Sequence, residues 1–200
     1  MYNHHIVGKK IFSEKDCQEI IDFAISQCKT KESSIVTEDI KEAVIDKNIR
    51  NVTSYVPPDS EEMCLPVLQY FVPPLYNCNE QYFKFDLSDR FEFNILKYEV
   101  NGHYEVHCDC DVGDAESHKN IRTRKLSFSF ILNKDYEGGD LEFPGLPNSY
   151  LEEGDTLERG DCIMFPSYFY HKVKPVTSGT RWALVGWIHG YKPLRSEKNG

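Results

Sequence analysis

Residues 124–133 read RKLSFSFILN, a run in which large apolar side chains alternate with small or polar ones. A strand repeats every two residues, so Leu126, Phe128, Phe130 and Leu132 share one face while Lys125, Ser127, Ser129 and Ile131 share the other. A Leu/Phe face demands a packed core against it. A Lys/Ser face demands an interior that is polar and occupied. The fold must therefore set this strand between a core on one side and a cavity on the other.

The surrounding sequence supplies further strands. From Phe91 onward, β-type runs punctuated by Gly, Pro, Asn and Asp cover 91–98, 104–109, 123–132, 140–143, 149–152 or 155–158, 161–165, 170–175 and 181–189. Before them, Ser13 and Asp16 form an imperfect capping box, and Cys17, Ile20, Ile21, Ala24, Ile25 and Cys28 recur at helical spacing, which predicts a helix over 14–28. Residues 29–48 are charged and poorly periodic and read as a surface excursion. IRNVTSYV reads as a strand stopped by Pro57-Pro58, and a second helix is expected from Ser60 to Val72, ended by Pro73-Pro74. The predicted class is mainly β with flanking helices: a double-stranded β-helix (jelly roll, cupin-like) buttressed by N-terminal helices. With 200 residues and no Gly/Ser linker, the expectation is one domain over 1–200, with 1–90 as helical and strand support and 91–190 as the catalytic core.

Charge and cysteines narrow the function classes. Lys and Arg number 23 against 32 Asp and Glu, a net charge of −9 that repels phosphate backbones and anionic lipid, so neither nucleic acid nor membrane is an expected partner. The seven cysteines show no C-x-x-C pair and no framework spacing. No apolar run reaches a membrane span and no signal peptide opens the chain, so the expected location is the cytoplasm.

The chemistry begins at HCDCD, residues 107–111. On a strand, His107 and Asp109 point the same way and offer an imidazole beside a carboxylate. His171, which follows the aromatic run Phe165, Tyr168, Phe169 and Tyr170, can bring a third ligand from a distant strand. Two imidazoles and a carboxylate on one face of an octahedron leave open positions, the arrangement suited to non-haem Fe(II) oxygen chemistry. A dianionic keto acid chelating such an iron needs a cation at its far carboxylate, and Arg181 on the next predicted strand can supply a bidentate fork.

These residues lie in KYEVNGHYEVHCD (97–109), RKLSFSFILNKDYEGGDLEFP (124–144) and GDCIMFPSYFYHKVKPVTSGTRWALVGWIHG (160–190). Together they resemble the Fe(II)/2-oxoglutarate-dependent dioxygenases, specifically the prolyl 4-hydroxylase-like branch. The resemblance implies that His107, Asp109 and His171 are the iron triad and that Arg181 anchors the 2-oxoglutarate C5 carboxylate. Tyr98 matches a tyrosine facing the co-substrate, and Tyr104 one near the substrate channel. Many relatives carry a tyrosine where this chain has Ile131, which leaves Ser127, Ser129 or Tyr98 to supply the hydroxyl contact to 2-oxoglutarate. The implied reaction consumes O2 and 2-oxoglutarate, releases succinate and CO2 and hydroxylates an unactivated C–H, with ascorbate as a reductant. The implied prime substrate is a peptide, protein or amino acid, with a prolyl side chain first. Nucleic-acid demethylases of the wider superfamily tend to carry a second arginine six residues after the anchor; here that position is Trp187. The alternative from another class is a non-catalytic, cupin-like metal-binding module, which would have no need of Arg181.

The remaining candidates have plainer readings. Cys108 and Cys110 fall on the opposite pleat from the ligands and read as packed thiols. His103 lies too far along a strand to share an ion with His107. His4, His5, His118 and His189 read as surface or loop residues. The acidic segment 110–120, with Asp111, Asp114 and Glu116, reads as a solvated loop or a lid. Residues 135–140 (DYEGGD) read as a hairpin turn with glycine supplying positive φ. Lys125 is the reserve anchor should Arg181 fail.

Overall fold

A computed structural model describes residues 5–32, 35–37, 40–110, 122–145 and 156–191. In chain order the elements are β1 (Ile6–Gly8), α1 (Glu14–Gln27), β2 (Lys29–Glu32), β3 (Ile35–Thr37), β4 (Ile40–Val44), β5 (Arg50–Asn51), β6 (Thr53–Val56), α2 (Glu61–Cys78), β7 (Leu87–Tyr98), β8 (His103–His107), β9 (Arg122–Ile131), β10 (Tyr136–Gly138), β11 (Leu141–Glu142), β12 (Cys162–Pro166), β13 (His171–Val173), β14 (Val176–Gly179) and β15 (Arg181–Tyr191). The major sheet runs β1-β12-β9-β15-β7-β6-β2, and the minor sheet runs β11-β13-β8-β5. All their pairings are antiparallel. Two facing antiparallel sheets with helices behind one of them make the expected jelly roll.

The period-two pattern decides which face of the major sheet meets which layer. Leu126, Phe128 and Phe130 of β9, Phe93 and Ile95 of β7, Cys162 and Met164 of β12, and Leu184 and Ile188 of β15 pack in one cluster with Cys17, Ile20, Ile21 and Ala24 of α1 and Val67, Leu68, Phe71 and Leu75 of α2. The opposite pleat contributes Leu96, Tyr98, Ile163 and Phe165, which join Leu141 and Val173 of the minor sheet in a second cluster. One sheet therefore serves two cores, and the inner core borders the cavity.

Several boundaries differ from the sequence expectation for identifiable reasons. Helix α1 starts as predicted, and the capping box is complete: the Asp16 amide donates to Ser13 Oγ at 3.2 Å and the Ser13 amide to Asp16 Oδ2 at 2.8 Å. Helix α2 does not stop at Val72 but runs through Pro66, Pro73 and Pro74 to Cys78. Its buried stripe of Val67, Leu68, Phe71, Leu75 and Cys78 continues past the prolines, so packing on the sheet outweighs the lost backbone bonds. The helix then widens over Asn79–Phe83, where the Lys84 amide reaches back to Asn79 O at 2.7 Å.

Part of the stretch read as a surface excursion is sheet: β2 pairs with β6 at the edge of the major sheet, and β3 pairs with β4. Tertiary pairing supplies what periodicity lacked. Residues 156–158 form no strand, while 149–152 lies outside the described residues. The segment read as a hairpin turn instead places β10 against β14, with Gly138 and Gly139 at φ of 71° and 69° as the turn chemistry required. His4, His118 and the acidic residues of the proposed lid also lie outside the described residues.

Phe71 locks α2 onto the sheet, lying 5.6 Å from the ring of Phe93 and 5.3 Å from that of Phe128. Phe71→Ala is expected to cost about 3–5 kcal/mol of folding stability. Ile25→Ala, on the exposed face of α1, should cost less than about 0.5 kcal/mol. Chemical denaturation of both variants checks the ranking.

Candidate active site

The minor sheet brings the two histidines together. β13 pairs with β8 so that His171 stands opposite His107, and their rings lie 4.2 Å apart. Strand β8 ends at His107, so Asp109 is not carried by the pleat that the spacing implied. It sits in a bend just beyond, where Ser167 O accepts from the Asp109 amide at 2.9 Å and from the Cys110 amide at 3.1 Å. A backbone clamp thus does what the strand period was expected to do.

One ligand atom from each of His107, Asp109 and His171 falls within 4.8 Å of the others. Each Nδ1 faces a backbone carbonyl, Glu105 O at 2.8 Å for His107 and Phe169 O at 2.9 Å for His171. A carbonyl only accepts, so each Nδ1 donates, and each Nε2 is left facing Asp109, at 3.6 and 3.5 Å. Burial and the neighbouring His171 lower the His107 pKa to about 4, outweighing the attraction of Asp109. Burial alone would raise the pKa of Asp109, but His171, His107, Trp187 and Ser127 together hold it below the usual carboxylate range. Two imidazoles and a carboxylate are the donor set a divalent iron takes.

Ser127 is already engaged, donating to Asp109 Oδ2 at 2.7 Å and lying 2.9 Å from Ser167 Oγ. The triad lines a cavity of about 280 Å³ that also includes Tyr98, Tyr104, Ser129, Arg181 and Trp187. Arg181 stands opposite Tyr98 in the β15–β7 register, with its guanidinium 5.2 Å from the tyrosine ring. It is only 3% exposed, and its Nη1 is buried with no hydrogen-bond partner among the described residues. A buried, orphaned guanidinium donor is a strong demand for an anion. Gly139 makes room for it, since a Cβ there would come 2.8 Å from Arg181 Cδ. The reserve anchor Lys125 is buried but does not line the cavity.

His189 is corrected from surface to interior: it is 6% exposed on β15, with Nε2 3.2 Å from Glu92 Oε1. Its partner belongs to β7, so no local spacing could reveal it. Glu92 also receives Arg124 at 2.9 Å, and Arg124 lies 3.8 Å over the Trp187 ring. The bond from His189 and the pairing with Arg124 hold the Glu92 carboxyl far below its usual range. His5 stacks on Phe143 at 5.4 Å rather than standing free in a loop. Cys110 is buried as expected, whereas Cys108 lines the cavity, its sulfur 4.0 Å from that of Cys110. Ser167 had no sequence signal beyond its place after Pro166.

Residues 93–189, just under half of the chain, match the 2OG-Fe(II) oxygenase superfamily. It is 35% identical over 108 residues to a PKHD-type hydroxylase of Synechococcus sp. (strain CC9311), covering 53% of this chain and 45% of that one. A PKHD-type hydroxylase of Psychrobacter sp. (strain PRwf-1) is 34% identical over 93 residues, covering 46% of this chain and 35% of the relative. The chain thus spans less than half the length of these curated relatives.

In fold it is similar to a Pseudomonas putida prolyl-4-hydroxylase, with a TM-score of 0.65, 19% identity and 94% of each chain covered. The viral collagen prolyl hydroxylase of Paramecium Bursaria Chlorella virus-1, solved with 2OG, superposes with a TM-score of 0.64 at 17% identity, covering 94% of this chain and 97% of that one.

The lowered His107 pKa fixes a pH dependence for the metal-free protein. The unfolded chain binds the proton more tightly, so stability falls as the pH drops from about 6.5 through about 4. His107→Gln should flatten the stability curve across that window, as read by denaturant midpoints at successive pH values.

Proposed function

We propose that this protein is an Fe(II)- and 2-oxoglutarate-dependent hydroxylase acting on an unactivated C–H of a prolyl or other amino-acid side chain. The observation that carries the reading is one cavity holding both a His107–Asp109–His171 cluster and a buried arginine with an unpartnered donor. In this reading His107, Asp109 and His171 hold Fe(II), and Arg181 holds the C5 carboxylate of 2-oxoglutarate. Bound together with O2, these groups supply oxidative decarboxylation to succinate and CO2, coupled to hydroxylation.

The chain's own residues prepare that chemistry. Ser127 and Trp187 keep Asp109 charged, and the backbone carbonyls at Glu105 and Phe169 fix the tautomer of each histidine. With Ser127 committed to Asp109, Tyr98 and Ser129 remain of the three candidate hydroxyls for the co-substrate. Phe165 packs 4.7 Å from the His171 ring and Tyr104 lies 3.5 Å from that of His107, so apolar surface excludes water on both sides of the ligands.

The prime substrate in this proposal is a peptide, a protein or a free amino acid, and ascorbate serves as reductant. The proposal includes one catalytic unit over the whole chain and a cytoplasmic location; no helix among the described residues is long and apolar enough to cross a membrane. A non-catalytic metal-binding module would give no role to the buried Arg181.

Adding 2-oxoglutarate to the Fe(II)-loaded protein under nitrogen should produce a visible metal-to-ligand absorption band. Admitting O2 should then yield succinate and, with a prime substrate, a product heavier by one oxygen atom. His171→Ala should abolish iron retention while leaving the fold, and stoichiometric iron in that variant would refute the assignment. Arg181→Ala is expected to weaken 2-oxoglutarate binding by about 3–5 kcal/mol, since the carboxylate would be left buried and unpaired. Arg181→Lys should recover part of that loss by keeping the charge without the planar fork.

A further inference from the structure

Two thiols bracket one of the ligand residues. The run His107-Cys108-Asp109-Cys110 sets Asp109 between cysteines, and the bend at Asp109 and Cys110 brings their sulfurs to 4.0 Å. Cys110 Sγ donates toward Cys108 Sγ, and Cys108 Sγ faces Cys110 O at 3.6 Å. Cys108 is half-buried and lines the cavity with His107, Asp109 and His171, whereas Cys110 is 7% exposed. The other five cysteines belong to the helix side of the major sheet: Cys17, Cys64, Cys78 and Cys162 lie within that core and Cys28 packs against it. Cys108 thus combines access to the site with a second sulfur in contact.

Joining the pair would disturb the ligand between them. A disulfide holds its sulfurs about 2 Å apart, so closure from the observed separation requires a movement of about 2 Å. The segment that must move is held at fixed points. Ser167 O accepts from the Asp109 and Cys110 amides at 2.9 and 3.1 Å, and Asp109 Oδ2 accepts from Ser127 at 2.7 Å. Distances from ligand atoms to a metal hold within about 0.2 Å, so even a tenth of that movement passed on to Asp109 matters. A ring closed over one intervening residue is also strained, and strained disulfides are the ones that thiols readily reduce.

We infer that Cys108 and Cys110 form a peroxide-sensitive dithiol whose oxidation to a disulfide loosens the hold of His107, Asp109 and His171 on their metal. The inference rests on the proposed function for the metal that the triad holds. The oxidant is hydrogen peroxide, small enough to enter the cavity. The Cys108 sulfur attacks one peroxide oxygen; an S–O bond forms, the O–O bond breaks, and the departing hydroxide leaves as water with the thiol proton. Cys110 then attacks the Cys108 sulfur; the S–S bond forms, the S–O bond breaks, and a second water leaves with the Cys110 proton. The thiols give up two electrons and two protons, and one peroxide becomes two waters. A soluble dithiol reverses the change by exchange through a mixed disulfide.

The test uses the full chain, metal-free, treated with hydrogen peroxide and then freed of it. Cleavage after Lys97 and Lys119 releases residues 98–119, which contain Cys108 and Cys110 and no other cysteine, methionine or tryptophan. When free thiols are blocked before digestion, this peptide should stay unblocked and be lighter by two hydrogen atoms, and dithiothreitol should return both thiols. Fe(II) binding under nitrogen, read by calorimetry, should be at least about tenfold weaker in the oxidised chain, the scale at which disturbed ligand support is felt. Dithiothreitol should restore it.

Cys108→Ala should bind Fe(II) equally before and after peroxide, a comparison within one variant that cancels any effect of the substitution itself. Cys110→Ser should give no peptide lighter by two hydrogen atoms. Two blocked thiols in residues 98–119 after excess peroxide, or a sulfinic acid at Cys108 beside a free Cys110, would overturn the inference. An equal loss of Fe(II) affinity in Cys108→Ala would do the same, because peroxide would then be acting elsewhere. A disulfide that leaves Fe(II) affinity unchanged removes the switch and leaves the proposed function standing. A reduced chain that takes up no Fe(II) removes the proposed function, and the switch with it.

Discussion

Keeping the carboxylate of Asp109 ionised inside the protein is the constraint on which the site depends. A buried charge is tolerated only when donors reach it, and here Ser127 on β9 and Trp187 on β15 donate to it, while His107 at the end of β8 and His171 at the start of β13 flank it. Each must be held in register for the others to reach. The antiparallel ladder provides this, with His171 opposite His107 in the minor sheet and Trp187 opposite Ser127 in the major one. The bend that carries Asp109 is tied to Ser167, which follows β12. Both sheets must therefore be assembled before the site exists.

That assembly rests on the two-sided use of the major sheet. Its outer pleat packs on α1 and α2, and this aromatic and aliphatic layer keeps β9, β15 and β7 aligned. Its inner pleat carries Ser127, Ser129, Arg181 and Trp187 beside the apolar residues of the second cluster. The stability of the fold and the polarity of the site thus sit on alternate residues of the same strands, which lets the cavity hold charge without dissolving the core.

The cavity also joins regions distant in the chain. Arg181 ends up beside Tyr98 and above Gly139, while Arg50 and Lys31 reach the same space from strands that precede α2. The segment that matches the superfamily, 93–189, contains His107, Asp109, His171 and Arg181. Arg50 and Lys31 lie outside it.

Much of this was legible in the residues themselves. The alternation in RKLSFSFILN determined a strand between a core and a cavity, because a period of two leaves no other disposition for its side chains. The His-x-Asp pair, His171 and Arg181 were legible as a set because each residue type has one dominant chemistry near a metal or a keto acid. What only the tertiary structure decided was the company each residue keeps. Asp109 is placed by a clamp from Ser167 rather than by its strand, His189 is buried against Glu92, α2 continues through three prolines, and Ser127 serves Asp109. In each case the deciding partner lies on another element. Local sequence fixes the period and the side-chain chemistry, but contacts made across sheets depend on strand register and layer packing, which arise only when the whole chain has folded.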